Sequence, residues 1–288
     1  MADAPTVALT GATGNVGGLV AARLAERGLA QRLVVRDPSR APSLAGAEVA
    51  QASYDDPAAM RAALSGVETL CLVSAPEAPD RVDRHRRAVD AAVDAGVERI
   101  VYLSFVRATS ESTFTFARDH AATETYVRGS GVRFTFLRPN LYLDLLPHLV
   151  GEDGVIRGPA GEGRFTPVAR TDLADVVAAV LATEGHDGRT YDVTGSASLM
   201  MKHVAAELAR ATGRPISYHD ETPDEARASR ARYGTPEWEV EGWVSSYLAI
   251  ARGELDAFSR TVSRATGRTP LTFAEFLDRH PESYLHLL

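Results

Sequence analysis

Gly11, Gly14 and Gly17 recur at three-residue spacing directly after the apolar run Val7-Ala8-Leu9-Thr10. A strand that breaks into such a turn and then into a helix is suited to receive phosphate. The first glycine takes a backbone angle closed to side chains, the second admits close approach of a pyrophosphate, and the third lets the new helix pack. The N–H groups that open the helix have no acceptors within it, and its dipole is positive at that end. The same residues also fit a glycine-rich turn with no ligand, but the flanking pattern favours the binding role. Val16, Leu19, Val20 and Leu24 keep helical spacing, Gly28 stands where the helix ends, and Leu33-Val34-Val35 follows as a second strand. Thr13, Asn15 and Val16 share the turn with the glycines. The chemistry indicated is dinucleotide binding.

The residue that ends the second strand of such a unit lies near the adenosine ribose. An acidic residue there bonds the 2′-hydroxyl of NAD, and an arginine accommodates the 2′-phosphate of NADP. Here the strand runs into Val35-Arg36-Asp37-Pro38-Ser39-Arg40. Arg36 takes the basic position and Arg40 follows one helical turn later; guanidinium groups can bond phosphate in a bidentate way. NADP(H) is therefore favoured. Asp37 keeps NAD(H) open, since it either caps the short helix or serves the NAD ribose, and Arg36 also reads as a solvated surface arginine.

The acid–base chemistry is less conventional. Carbonyl reduction by a Tyr-x-x-x-Lys pair is excluded, because Lys202 is the only lysine and the position four residues before it is Ser198. Any reduction here must need little acid catalysis. His120 is one candidate to donate a proton or a hydrogen bond, because imidazole titrates near neutrality. The competing reading is a surface or capping histidine with Asp119 as a simple partner. Asn140 and Tyr142, just past the sixth apolar run, are the other catalytic candidates. The remaining histidines show no metal-ligand spacing, so no metal is implied.

These residues must be positioned by a sheet. Short β-rich runs at Val7–Thr10, Arg32–Val35, Glu48–Ala50, Thr69–Ser74, Arg99–Ser104 and Phe134–Leu137 alternate with helical patterns. That alternation predicts an α/β fold, a Rossmann-type doubly wound parallel sheet covered on both faces. One helix is expected over about Asp80–Ala95, with Val82, Val89, Ala92 and Val93 inward and Gly96 closing it. Ligands of open sheets lie beyond the carboxyl ends of the strands. Ser74-Ala75-Pro76, Ser104-Phe105 and Arg138-Pro139-Asn140 are thus expected to line the cleft, with Asp55, Ser74, Ala75, Ser104 and Phe105 added to the cofactor-binding candidates.

After about Asn140 the pattern changes. Gly151–Gly163 reads as hairpin or loop, Asp172 as the cap of a helix through Leu181, Thr190–Val193 as one further strand, and His203–Thr212 as a helix. Val240, Trp243, Val244, Tyr247, Leu248 and Ala251 form an apolar helical stripe, read as core packing ahead of a pocket wall or lid. We expect a cofactor domain over residues 1–140 plus about 186–195. A small discontinuous C-terminal α/β lobe, from about 141–185 and 196–288, is expected to bind substrate.

Several segments together resemble a known group. These are Thr-Gly-Ala-Thr-Gly-x-x-Gly at the start, Val35-Arg36-Asp37-Pro38, and Ala-Ser-Tyr-Asp-Asp-Pro over residues 52–57. The helix expected to begin at Asp119-His120, with Thr123-Glu124, and Gly188-Arg189-Thr190-Tyr191-Asp192 complete the set. Over nearly the whole chain the sequence is similar to the NmrA-like atypical short-chain dehydrogenases, and within them to bacterial NADPH:quinone reductases, which share His-x-x-Thr-Glu. The resemblance implies hydride transfer from NADPH to a quinone or similar conjugated acceptor. Other members of the group are redox-sensing regulators that bind the dinucleotide without chemistry. Isoflavone-reductase-like members carry a catalytic lysine near the position aligned with His120, so the histidine argues against their route. Reduction of an activated alkene is a further alternative.

Composition narrows the partners. The 288 residues are 45% hydrophobic and 24% charged, and the net charge of −7 argues against a direct nucleic-acid binder. Cys71 is the only cysteine and sits in the apolar run Leu70-Cys71-Leu72-Val73, so it reads as buried and no disulfide forms within the chain. Residues 1–5 show no basic start or apolar stretch, and no segment approaches the ~18 apolar residues of a membrane span. The expectation is a cytoplasmic oxidoreductase with a small-molecule acceptor and no membrane partner. A homodimer is left open, and a protein partner is needed only if the chain is a sensor.

Overall fold

The computed structural model describes residues 6–288, so the expected lack of a leader over residues 1–5 lies outside the described residues. The first half alternates strand and helix: β1 (Val7–Thr10), α1 (Asn15–Glu26), β2 (Gln31–Val35), β3 (Ala47–Gln51), α2 (Pro57–Leu64), β4 (Thr69–Val73), α3 (Arg81–Asp94), β5 (Arg99–Leu103), α4 (Thr115–Gly129) and β6 (Arg133–Pro139). The second half contributes β7 (Val155–Gly158), α5 (Arg170–Ala182), β8 (Arg189–Val193), α6 (Met201–Thr212), β9 (Ser217–Asp220), α7 (Pro223–Arg230), α8 (Glu237–Ala251), α9 (Thr261–Thr266) and α10 (Phe273–Arg279).

Seven strands form one parallel sheet in the order β3-β2-β1-β4-β5-β6-β8. The order reverses between β1 and β4, and a crevice opens at such a switch point. Both faces are covered, which is why the central strands read as continuous apolar runs: β5 is buried at every residue. On one face Val20, Ala21 and Leu24 of α1 pack with Leu173 and Val177 of α5; on the other, Met60, Val89, Ala92 and Val127 pack from α2, α3 and α4. A third core joins Phe165, Val204, Leu208, Tyr247, Ile250, Phe273 and Phe276, beside the carboxyl end of the sheet.

Several expectations need correction. Gly151–Gly163 is not a simple hairpin or loop, because it contains β7, which pairs in parallel with β9 in a separate two-stranded sheet. Asp172 does not cap α5. The cap position is Ala169, and Asp172 is fully buried in the first turn, accepting hydrogen bonds from Arg268 and from the Leu271 N–H. The segment holding α5, assigned from the sequence to the second lobe, packs against α1 and the main sheet. Val93 is turned outward, 40% exposed, and Ala251 is also exposed. Finally, α4 begins at Thr115, so His120 lies inside the helix and is no capping residue.

Candidate active site

A cleft of about 500 Å³ lies along the carboxyl ends of β1, β2, β4 and β5, a volume suited to a small-molecule ligand. Gly11, Thr13, Gly14, Asn15, Val16 and Gly17 all line it. Gly11 has φ +68, and a Cβ there would press on the Val73 side chain at 3.2 Å. A Cβ on Gly17 would overlap the Gly11 carbonyl, so the third glycine is required by the turn itself. Gly14 N–H donates to Gly11 O at 2.9 Å, tightening the loop into the start of α1. The result is a concave backbone surface with helix N–H groups at its base, which fits a dinucleotide's phosphates.

At one end of the cleft Arg36 lines the wall, exposed and without an ion pair among the described residues. Asp37 is committed elsewhere: its Oδ1 accepts from Ser39 N–H (3.0 Å) and Ser39 Oγ–H (2.6 Å), capping the helical turn Pro38–Arg40. Those bonds hold its carboxyl below the ordinary value. Arg40 closes that turn and is exposed outside the cleft lining. Asp55 lines the rim and accepts from Arg87 Nη2 at 2.8 Å. Beside it Tyr54, absent from the sequence-derived candidates, donates its hydroxyl to Val73 O at 2.5 Å and lies 2.7 Å from Thr10 Oγ1. It ties β1 and β4 together under the cleft.

Ser74 and Ala75 line the middle. Their loop is held from α3, since Ala75 N–H donates to His85 Nε2 at 2.8 Å and Arg81 Nε–H donates to Ala75 O at 2.9 Å. Arg81 is 3% exposed, and the carboxylates nearest it stand back at 3.8 Å (Asp119) and 4.0 Å (Glu77). Its Nη1 makes no hydrogen bond. Burial, with this guanidinium second, pushes the His85 imidazole down to about 3.

The far end is assembled from β5, α4 and the segment after β6. Phe105 and Phe114 pack edge to face at 5.1 Å, and Phe114 and Phe116 meet at 5.5 Å, giving an apolar wall. Ser104 lines the cleft, but its hydroxyl donates to Glu124 Oε1 at 2.6 Å. Glu124 in turn receives both Arg138 Nε–H and Nη2–H at 2.7 Å. His120 is buried, lines the cleft, stacks beside Phe105, and contacts the Tyr102 hydroxyl through Nδ1 at 2.8 Å. Burial, reinforced by Arg81, His85 and Arg138, holds its imidazole well below the ordinary value. It is a neutral ring, with no link to Asp119. Tyr142 also lines the cleft, with the Arg170 guanidinium 5.1 Å from its ring; burial pushes its phenol up to about 12, so it stays protonated.

Asn140 does not join them. It is 1% exposed, donates Nδ2–H to Leu255 O at 2.8 Å, and accepts from Leu141 N–H at 2.8 Å. Its amide is used up in tying the end of β6 to the segment after α8, and neither Arg138 nor Pro139 lines the cleft. Sequence reasoning also missed Arg81, His85, Tyr102, Phe114, Phe116 and Arg170. They occupy no motif, and only the placement of Arg81 in the first turn after a strand's carboxyl end hinted at a site.

Comparison with known proteins decides the family. Residues 11–184 match the model of an NAD(P)H-binding family. The chain belongs to that NAD(P)H-binding family. Among family relatives it is 34% identical to quinone oxidoreductase 2 of Escherichia coli strain K12, over 93% of this chain and 96% of that protein. A crystal structure of an NADPH-dependent quinone oxidoreductase from Escherichia coli, complexed with NADPH, superposes with a TM-score of 0.87. Its identity is 32%, covering 95% of this chain and 99% of that one. NmrA, a negative transcriptional regulator whose structure was solved in complex with NAD, shares the fold at TM-score 0.79 and 16% identity, with 99% of this chain and 98% of that chain covered.

Proposed function

We propose that this chain is an NADPH-dependent reductase delivering hydride to a quinone or similar conjugated acceptor. The observation that carries the reading is the division of the cleft. One end offers backbone N–H groups and Arg36, which has no ion pair among the described residues; the other offers aromatic rings with two neutral hydrogen-bond donors, His120 and Tyr142. Bound NADPH supplies the hydride. The glycine turn receives its phosphates, and Arg36 receives the 2′-phosphate that distinguishes it from NADH. Phe105, Phe114 and Phe116 stack a flat acceptor and exclude water from it. A conjugated acceptor spreads the arriving charge over its own oxygens, so hydrogen bonding replaces protonation and the missing Tyr-x-x-x-Lys pair is not needed. A purely sensing protein would need the turn and Arg36 but would have no use for the aromatic wall.

The Escherichia coli relative described above, by its sequence and by its crystal structure, is named a quinone oxidoreductase, which supports the same acceptor class. Among the described residues no helix is long and apolar enough to cross a membrane. A reducing compartment such as the cytoplasm suits the single buried Cys71. The test is NADPH oxidation in the presence of a panel of quinones and activated enones, with NADH in parallel and cofactor binding measured separately. Acceptor-dependent turnover that prefers NADPH is expected. Tight NADPH binding with no turnover on any acceptor would replace the enzyme by a sensor.

A further inference from the structure

Resting on the reductase reading, we propose that Tyr102 is a positioning residue: its hydroxyl donates to His120 Nδ1 and so holds His120 as the tautomer whose Nε2–H faces the acceptor. The argument follows the protons. A buried phenol must donate its O–H, and the only acceptor meeting hydrogen-bond geometry for Tyr102 among the described residues is His120 Nδ1, at 2.8 Å. Tyr102 itself is fully buried in β5, and burial raises its phenol, so the proton stays on oxygen.

The other acceptor nearby is already engaged. Ala75 N–H donates to His85 Nε2, which puts the His85 proton on Nδ1. That Nδ1–H donates to Thr123 Oγ1 at 2.8 Å, and Thr123 Oγ1–H donates to Asp119 O at 2.9 Å. One chain of bonds thus runs from the β4 loop through α3 into α4, and Tyr102 to His120 runs beside it. In that arrangement His120 Nδ1 is an acceptor, its proton sits on Nε2, and Nε2 makes no bond to the described residues. Phe105 stacks on the ring, 29° from parallel with centroids 6.2 Å apart, and fixes its plane.

The neutral state has identifiable causes. Facing the ring are Arg81 and His85 from α3, Arg138 from β6 and Tyr102 from β5; Asp119 and Glu124 lie on its own helix. Glu124 is neutralised by Arg138, and Asp119 stands nearest to Arg81. The cations that see His120 therefore disfavour a second proton.

The chemistry balances without an acid. Hydride, two electrons and one proton, would leave the C–H bond of the reduced nicotinamide and form an O–H bond on the quinone, with the nicotinamide left oxidised. The quinone becomes the hydroquinone monoanion, and water supplies the last proton after release. His120 Nε2–H shares its proton with the developing oxyanion and keeps it, so the ring returns unchanged. A donor of this kind contributes about 10²-fold to a rate.

The test reads the proton directly. Nitrogen-15 NMR of the intact protein, with the His120 signals identified by their loss in His120→Gln, reports which ring nitrogen is protonated. Nε2–H is expected in the wild type. In Tyr102→Phe the ring is expected to move to Nδ1–H or to a mixture. Single-turnover reduction of 1,4-naphthoquinone should slow by about 10²-fold while NADPH affinity, followed by fluorescence, stays within about twofold. The wild-type single-turnover rate should be flat between about pH 6 and pH 9, a window within which an ordinary imidazole would titrate. Nδ1–H in the wild type, or a Tyr102→Phe protein that keeps Nε2–H and full rate, overturns the assignment; the wild-type spectrum decides it even if the variant does not fold. A wild type that turns over no quinone overturns the reductase reading instead, whichever tautomer is found.

Discussion

The two ends of the cleft are made of different material. The phosphate-receiving end is backbone, a single turn from Gly11 to Gly17 whose shape is dictated by a positive φ and by the crowding that a Cβ on Gly17 would create. The rest is side chain: His85 and Arg81 from α3 hold the middle, and Tyr102 from β5, His120 from α4 and Tyr142 beyond β6 make the acceptor end. Backbone sites tolerate little substitution and announce themselves in a short motif. Side-chain sites are held by bonds between distant elements, and each can be altered singly.

That contrast is most severely tested at Gly17. Gly17→Val should abolish NADPH binding, with affinity lost by more than about 10³-fold, because the turn must open to admit the side chain. Calorimetric titration checks it, and retained binding would mean that the turn is not the rigid backbone cradle described. Next comes acid stability, which reports the side-chain part. His85 is neutral when folded with a value of about 3 and titrates near 6.5 when unfolded. The unfolded state therefore binds the extra proton first, so stability is full above about pH 6.5 and falls as pH drops toward about 3, by a few kcal/mol. Urea unfolding at pH 7 and pH 4 should show that loss, and His85→Gln should lessen it, the share of the buried His120 remaining.

A smaller effect is expected at the rim. Arg36→Ala should weaken NADPH about 10- to 100-fold, the size of one charge-assisted contact, and leave NADH unchanged within about twofold. Equal losses for both cofactors would show that Arg36 does not read the 2′-phosphate. The smallest effect belongs to Arg40→Ala, which should change neither affinity by more than about twofold, since Arg40 lies outside the cleft and contributes an exposed charge.

The same contrast explains what was legible in advance. The glycine turn, the strand succession and the buried Cys71 could be read because local geometry and apolar periodicity specify them. Arg36 was legible because its position is fixed relative to the end of β2. His120 was legible only as a residue type: its depth follows from α4 starting at Thr115, and its neutrality from guanidinium groups remote in sequence. Asn140 has the right chemistry at the right strand end, yet Leu255 O, 115 positions away, consumes its amide. Asp172 failed for a related reason. A helix-opening aspartate suggests a cap, and nothing local reveals that Arg268 and the Leu271 N–H will claim the carboxylate. The β7–β9 pairing is illegible for want of a short connection.

That last pairing bears on the order in which the molecule is made. Tyr218 of β9 bonds Gly158 of β7 across 60 positions, and Asn140 waits for Leu255. Closing such loops costs entropy before any contact repays it, so non-local strands are slow to pair. The turn from Gly11 to Gly17 needs only β1, α1 and their nearest neighbours. The acceptor wall, from Phe105 to Tyr142, needs β5, α4 and the end of β6 as well, so a growing chain holds a seat for phosphate before it holds a wall for the acceptor.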